Sequence, residues 1–209
     1  MDPVNYQMNK TEIIDDPYKT ATFYLASINV LMYILTSLMS GSLTTGNTAG
    51  TLFGLSINTL LGGWIWTPLT SIFAHGNLPH LGFNLIYMFI FGFKLEERGY
   101  SKDGIYFIYI FTGVLAGILS LIFFYNPSSF TLGASGAVFG LLGANVGIEK
   151  KNNDPNYKRV LYLSIILFIF SGTAPNTNII AHLIGLLAGY YLGKSEFLDR
   201  YNLEMEKFQ

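Results

Sequence analysis

Apolar residues in this chain come in long runs, not in the alternating or one-sided spacing of elements that face water. Runs rich in Leu, Ile, Phe and Tyr cover roughly residues 21–40, 79–93, 104–125, 135–148, 160–171 and 178–193. Sustained runs of this kind predict transmembrane helices. Several are shorter than the ~20 residues that cross a bilayer. The expected fold is therefore all-α: a polytopic membrane protein built as a bundle of six transmembrane helices of unequal length. Polar stretches set the expected boundaries, with a short tail at 1–19, a membrane domain at 20–193 and a second tail at 194–209.

Charge fixes the expected orientation. Lys10 and Lys19 precede the first run, and Lys94, Arg98 and Lys102 lie between the second and third. Lys150, Lys151, Lys158 and Arg159 separate the fourth and fifth, and Lys194, Arg200 and Lys207 follow the sixth. All 12 basic residues thus fall on one side, and segments 41–78, 126–134 and 172–177 carry none. The positive-inside rule places both termini in the cytoplasm and those three loops outside a plasma membrane. The polar, acidic start of the chain does not read as a cleaved signal peptide. The long uncharged loop, 41–78, holds "GGWIWTPLTSIF", whose aromatics suit a bilayer interface.

Composition narrows the chemistry. Charged residues make up 12% of the chain, about half the share usual in soluble domains. A net charge of −1 argues against a nucleic-acid partner. Cysteine is absent, which excludes disulfides, thiolate metal sites and a cysteine nucleophile. No metal or organic cofactor is implied. The lipid bilayer is the expected surroundings, and the oligomeric state is not legible.

Polar side chains at membrane depth are costly and mark candidate functional sites. Measured from the nearest cytoplasmic charge at ~1.5 Å per residue, Ser135 and His80 lie ~21 Å deep, His182 ~18 Å and Asn84 ~15 Å. Three different spans thus deliver polar groups to one layer, roughly 10 Å below the outer surface of a ~30 Å slab. A helix opening at Ser135 cannot reach that surface, so the preceding "NPSSFTLGA" (126–134) is expected to dip into the membrane. Irregular backbone at such depth needs protein or a water-filled cavity beside it. A cavity opening outward above Ser135 is the expectation.

Small residues supply a reason for Ser135 and His182 to meet. Gly136, Gly140, Ala144 and Gly147 recur along the fourth span, and Ala181, Gly185, Gly189 and Gly193 along the sixth. Such stripes let helix backbones approach closely. A serine in such a stripe is ordinarily a packing residue, and a lone histidine near a helix end is ordinarily interfacial. At matched depth on facing stripes they suit a nucleophile and a general base instead. No acidic residue lies at this depth, so the pair would be a dyad. Ser135 also opens a helix, where free amides and the dipole favour a developing oxyanion. Asn84 and His80, four residues apart on one helix face, are further donors.

Three motifs carry a family likeness: "HGNLPHLGFN" (75–84), "GASG" (133–136) and "AHLIGLLAGYYLG" (181–193). Together, in this order and spacing, they resemble the rhomboid intramembrane serine proteases. The resemblance implies a Ser135 nucleophile and a His182 base. It implies an oxyanion hole of His80, Asn84 and the Ser135 amide. Gly133, Gly136, Gly185 and Gly189 fall in the matching motifs as supporting residues, His75 as a structural histidine, and "EERG" (96–99) as a cytoplasmic ion and cap cluster. The expected substrate is a transmembrane protein, cut in or near its membrane segment through an acyl-enzyme. The chain departs from the family pattern at two places. Trp66-Thr67 stands where many relatives carry Trp-Arg, which leaves loop anchoring open. Phe139 stands where many carry a tyrosine stacked on the base. The family likeness also implies lateral substrate entry between the second and fifth spans, with Phe83 and Tyr87 as one side of a gate or else as ordinary lipid-facing aromatics. The short fifth span, bearing Phe168 and Phe170, is expected to be held less firmly than its neighbours.

Two rival readings remain at this point. One is a rhomboid-like protein that binds membrane clients without cutting them. The other is a small transporter, which would need a polar path that the inner half of the slab does not offer.

Overall fold

The computed structural model describes residues 17–123, 129–173 and 177–206. Among them the regular elements are helical: α1 (Ala21–Ser40), α2 (Asn47–Phe53), α3 (Ile57–Leu61), α4 (Thr67–Thr70), α5 (Leu78–Glu96), α6 (Lys102–Phe123), α7 (Ser135–Lys151), α8 (Tyr157–Ser171), α9 (Ile179–Lys194) and α10 (Glu196–Glu206). The chain is a polytopic α-helical membrane protein, and α1, α5, α6, α7, α8 and α9 coincide with the six expected spans. Of these, α1, α5 and α6 are by themselves long and apolar enough to cross a bilayer. Their outer faces carry Leu31, Ile86 and Ile122, each more than half exposed, as lipid-facing surfaces do.

Local chemistry sets where the helices begin. Thr20 caps α1 by accepting from the Phe23 amide, and Asn77 caps α5 by accepting from His80 N at 2.9 Å. Asn178 caps α9 through the Ala181 amide. Each cap satisfies one of the donors a helix start leaves open.

The core is α7. Residues 136–149 are all buried, between α5, α6 and α9. Its glycines serve two neighbours at once. A side chain at Gly136 would lie 2.9 Å from Ala116 Cβ, and one at Gly140 would collide with Thr112, so their bare faces are required by α6. The carbonyls of the same two residues, with that of Ala144, abut Gly136-Gly185, Gly140-Gly189 and Ala144-Gly193 contacts with α9. From the other helix, the Leu186 and Tyr190 carbonyls press on Gly143 and Gly147. The expected facing stripes do meet, but through backbone, with the missing side chains of Gly136 and Gly140 turned to α6.

The long uncharged loop, 41–77, is ordered by its own hydrogen bonds. Leu55 and Thr131 exchange backbone bonds of 3.1 and 2.7 Å, which ties the loop to the segment before α7. Thr67, at the position where the family pattern often has an arginine, is fully buried. It donates to the Trp64 carbonyl and lies 3.4 Å from Thr59 Oγ1, while Trp66 Nε1 donates to Leu52 O. Short hydroxyl bonds thus anchor the loop where a guanidinium is missing. Deeper, Tyr109 donates to the Ile72 carbonyl and accepts from Asn29 Nδ2, joining α6, the loop and α1.

On the side bearing the basic residues, Glu149 of α7 is buried and pairs with Lys94 at 2.7 Å and with Arg98. Arg98 also donates to Asn145 Oδ1, and Asn145 Nδ2 donates to the Phe91 and Leu141 carbonyls. The inner half therefore does hold a polar side chain, contrary to expectation. Asn145 is saturated by its neighbours, so it offers no path to an ion. Glu96 of "EERG" accepts from the Thr22 amide and hydroxyl at the start of α1. After residue 194 the chain turns into α10, which buries Leu198 and pairs Asp199 with Lys151.

In contrast to α7, α8 buries Ser164 alone. The expectation of a loosely held fifth span agrees with this.

The backbone contact between α7 and α9 predicts a sharp contrast between two glycines. Gly189→Ala should lower the thermal unfolding midpoint in detergent, by the equivalent of about 1–3 kcal/mol for overpacking. Gly82→Ala, where a Cβ meets nothing within 4 Å, should hold or raise it. Equal midpoints for the two variants would contradict the packing. Removing the buried acid by Glu149→Ala takes the shared carboxylate from Lys94 and Arg98, both partly exposed, and should cost about 1–3 kcal/mol in a denaturation measurement.

Candidate active site

The residues expected at the site come from three helices, α5, α7 and α9, and from the segments just before α5 and α7. Asn77 and Pro79 start α5 so that His80 and Asn84 share its inner face one turn apart. Ala134 precedes the first residue of α7, Ser135, with no side-chain cap. Asn178 starts α9 and also donates from Nδ2 to Ser120 Oγ, which fixes His182 one turn into that helix. Asn77, Pro79, His80, Asn84, Ser135, Asn178 and His182 line one cavity of about 1090 Å³, lying beside α7.

Each polar group has identifiable partners. His75 is fully buried. Its Nδ1 donates to the Phe73 carbonyl at 3.1 Å, and its Nε2 accepts from the Ala134 amide at 3.4 Å. It thus joins the outer loop to the residue just before Ser135. Its ring meets that of His80 edge-on, with centroids 5.1 Å apart. Gly133 has φ +129°, and a Cβ there would sit 2.7 Å from His80 Nε2, so glycine is required twice over. Asn84 is buried and gives one Nδ2 proton to the His80 carbonyl at 3.0 Å, keeping its second amide proton.

The amides before α7 are already used. Gly133 N donates to Ser71 O and Ala134 N to His75. The first donor into the helix is Val138, at 2.9 Å from Ala134 O. The amides of Ser135, Gly136 and Ala137 therefore begin the helix without an acceptor inside it, and no capping side chain covers them. Such an end attracts negative charge.

On α9, His182 is buried and stacked on Phe139, with centroids 4.5 Å apart and planes 20° from parallel. Phe168 of α8 meets Phe139 edge-on at 6.2 Å. The phenylalanine in the tyrosine position thus retains the stacking. His182 Nδ1 lies 2.9 Å from Ser171 Oγ at the end of α8. The Ser135 hydroxyl is half-buried and makes no hydrogen bond to a described residue, His182 included. Such bonds are often long before substrate arrives and tighten in the reacting complex.

A Rhomboid domain family model matches residues 62–197, which holds every one of these side chains. The chain belongs to the rhomboid family. It is 30% identical over 194 residues to "Rhomboid protease GluP" of Bacillus subtilis, a match covering 88% of this chain and 37% of that protein. It is 36% identical over 135 residues to "RHOMBOID-like protein 6, mitochondrial" of Arabidopsis thaliana, covering 61% and 42%. It is 26% identical over 191 residues to "Rhomboid-like protease 3" of Toxoplasma gondii, covering 88% and 70%. This rhomboid therefore spans well under half the length of the first two relatives.

In this rhomboid the cavity has two walls that face the lipid region. Phe83, 60% exposed, and Tyr87, stacked on Phe91, form the α5 wall. Leu167, Phe170 and Ser171 form the α8 wall. The expected gate residues are thus both cavity-lining and, at Phe83, surface-exposed. Part of the dipping segment, 126–128, lies outside the described residues, as does 174–176 of the loop before α9. Ser171 was missed by sequence reasoning, because a serine at the end of an apolar run, directly before the loop that leads back to His182, has no spacing signature.

The double demand on Gly133 predicts that Gly133→Ala destabilises the protein by about 1–3 kcal/mol from backbone strain alone. It should also displace His80, read as a change in the His80 side-chain NMR signals. An unmoved His80 and an unchanged unfolding midpoint would refute the packing described.

Proposed function

We propose that this protein is an intramembrane serine protease that hydrolyses a peptide bond in or near a transmembrane segment. The observation that carries the reading is the pairing of an uncapped helix start at Ser135 with a buried, ring-stacked His182 across one cavity. In this reading Ser135 Oγ attacks the scissile carbonyl carbon as its proton passes to His182 Nε2. The oxyanion takes hydrogen bonds from the Ser135 amide, from the free amide proton of Asn84 and from His80. As the C–N bond breaks, His182 returns the proton to the leaving amine. Water then repeats the sequence on the acyl-enzyme and regenerates the Ser135 hydroxyl. No metal or cofactor has a part in these steps.

Membership of the rhomboid family and the protease names of its relatives support the reading. The buried surroundings of His182 and Asn84 strengthen every charge interaction the transition state develops. We place the protein in a plasma membrane with both termini cytoplasmic and the cavity open to the outside, as the Lys/Arg asymmetry indicates. The substrate would be a transmembrane protein entering past Phe83 and Tyr87. The membrane domain would be residues 20–193, flanked by cytoplasmic segments.

Purified protein in detergent should cleave a single-span membrane substrate and take up a fluorophosphonate probe at Ser135. Ser135→Ala should abolish both, and Asn84→Ala should lower kcat by about 10²–10³-fold if it supplies one oxyanion donor. Cleavage by Ser135→Ala at the wild-type rate would sink the mechanism. Absent labelling with retained client binding would point to a member of the family that binds without cutting.

A further inference from the structure

Ser171 is the last residue of α8, and its hydroxyl touches two groups. Oγ lies 2.7 Å from the Phe168 carbonyl oxygen and 2.9 Å from His182 Nδ1. A carbonyl only accepts, whereas Nδ1 can donate or accept, so both contacts are hydrogen bonds together only when the single hydroxyl proton goes to Phe168. Toward His182 the serine then offers a lone pair, and the hydrogen between them has to be the imidazole's. A neutral imidazole carries one N–H. With that proton on Nδ1, Nε2 holds the free lone pair. Phe139, stacked on the other side of the site, fixes the ring plane in which this bond lies.

We propose that Ser171 is a positioning residue for His182: it accepts the Nδ1 proton and so holds the imidazole in the tautomer whose Nε2 can serve as base. The inference rests on the protease reading above. In a catalytic triad this place is filled by a carboxylate, which orients the imidazole and stabilises its charged form. Among the described residues no Asp or Glu bonds to a histidine. Ser171 supplies the orientation through a neutral group, with its own proton anchored on the α8 backbone. When Ser135 passes its proton to Nε2, the ring becomes an imidazolium with both nitrogens protonated. The Nδ1–H to Ser171 bond persists and strengthens, since its donor is then charged. Return of the Nε2 proton to the leaving amine restores the starting tautomer.

The bond also links the base to the least buried span. Ser171 ends the helix that forms one wall of the cavity opening, and α8 buries Ser164 alone. A displacement of the end of α8 would remove the Nδ1 acceptor and free the tautomer.

Two measurements test the proposal. In the first, Ser171→Ala and Ser171→Thr are assayed on a single-span substrate. The alanine variant should lose about 10- to 100-fold in kcat, the range for a hydrogen bond to a group that becomes charged, with KM nearly constant. Threonine, which keeps the hydroxyl, should restore most of kcat. An alanine variant with wild-type kcat, or a threonine variant as impaired as alanine, overturns the proposal. The second measurement uses ¹⁵N-histidine-labelled protein in the Ser135→Ala background, above the imidazole titration range, with His182 signals assigned by their loss in His182→Ala. His182 should be the Nδ1–H tautomer with Ser171 present and should gain the Nε2–H form in Ser171→Ala. An Nε2–H tautomer in the presence of Ser171 overturns the proposal whether or not the alanine variant folds. If the wild type cleaves nothing, the protease reading fails on its own, and the tautomer signal still decides the role of Ser171.

Discussion

The contact on which the rest of the structure depends is backbone against backbone, between α7 and α9. Gly185, Gly189 and Gly193 lie on the carbonyls of Gly136, Gly140 and Ala144. A side chain at any of those three positions on α9 would push the helices apart. Between helices in lipid there is little hydrophobic drive, so close van der Waals contact has to hold them together. Close approach also shortens the distance between side chains at the top of the stripe. His182 precedes Gly185 by one turn, and Ser135 precedes Gly136, so the site sits at the end of the glycine contact. The bare faces of Gly136 and Gly140, turned the other way, admit Ala116 and Thr112 of α6, and residues 136–149 of α7 are all buried as a result.

Burying α7 creates a second requirement, the satisfaction of polar groups without water. On the side bearing the basic residues, Glu149 meets it at Oε1, which takes both Lys94 and Arg98 while Oε2 is left without a partner, and Asn145 meets it with carbonyls on α5 and α7. At the other end the histidines meet it. His75 spends both nitrogens on backbone, at Phe73 and Ala134. His182 spends one, on Ser171. The difference between His75 and the histidine proposed as reactive lies in how many ring nitrogens the protein leaves unpaired. Burial of an unpaired polar atom is costly, and the neighbouring cavity offers that atom a place for water or substrate.

The spans were legible because a bilayer imposes long apolar runs. Ser135 at the start of α7 and the small-residue stripes followed from local signals. What could not be read was the direction in which the glycines face. Gly136 and Gly140 recur at a spacing that fits more than one neighbour, and only the three-helix arrangement assigns their missing side chains to α6. The anchoring of the outer loop by Thr59, Thr67 and Trp66 was also hidden, since hydroxyl bonds to carbonyls leave no periodic trace. Asn145 was overlooked for a related reason: a single amide in a glycine-rich run looks like packing until Arg98 and Phe91 are seen beside it. Ser171 is the extreme case, because its partner is eleven positions away across a loop.

The placement of Ser171 bears on how a membrane site can be both tight and accessible. A site closed on all sides by helices as buried as α7 would exclude water and hold its groups rigidly, but no helical substrate could enter. A wall as lightly packed as α8 resolves access at the expense of order, since few contacts oppose its movement. In the proposed mechanism, the one hydrogen bond from that wall to His182 places the ordering influence where the opening is. The end of α8 then need occupy its position only while His182 is to accept a proton. On that proposal Phe139 holds the ring plane from the rigid side, on α7, and Ser171 sets the tautomer from the yielding side. Stacking alone cannot choose between the two nitrogens, and a hydrogen bond alone would not keep the ring from tilting. The two contacts come from helices of opposite character, and the imidazole needs both.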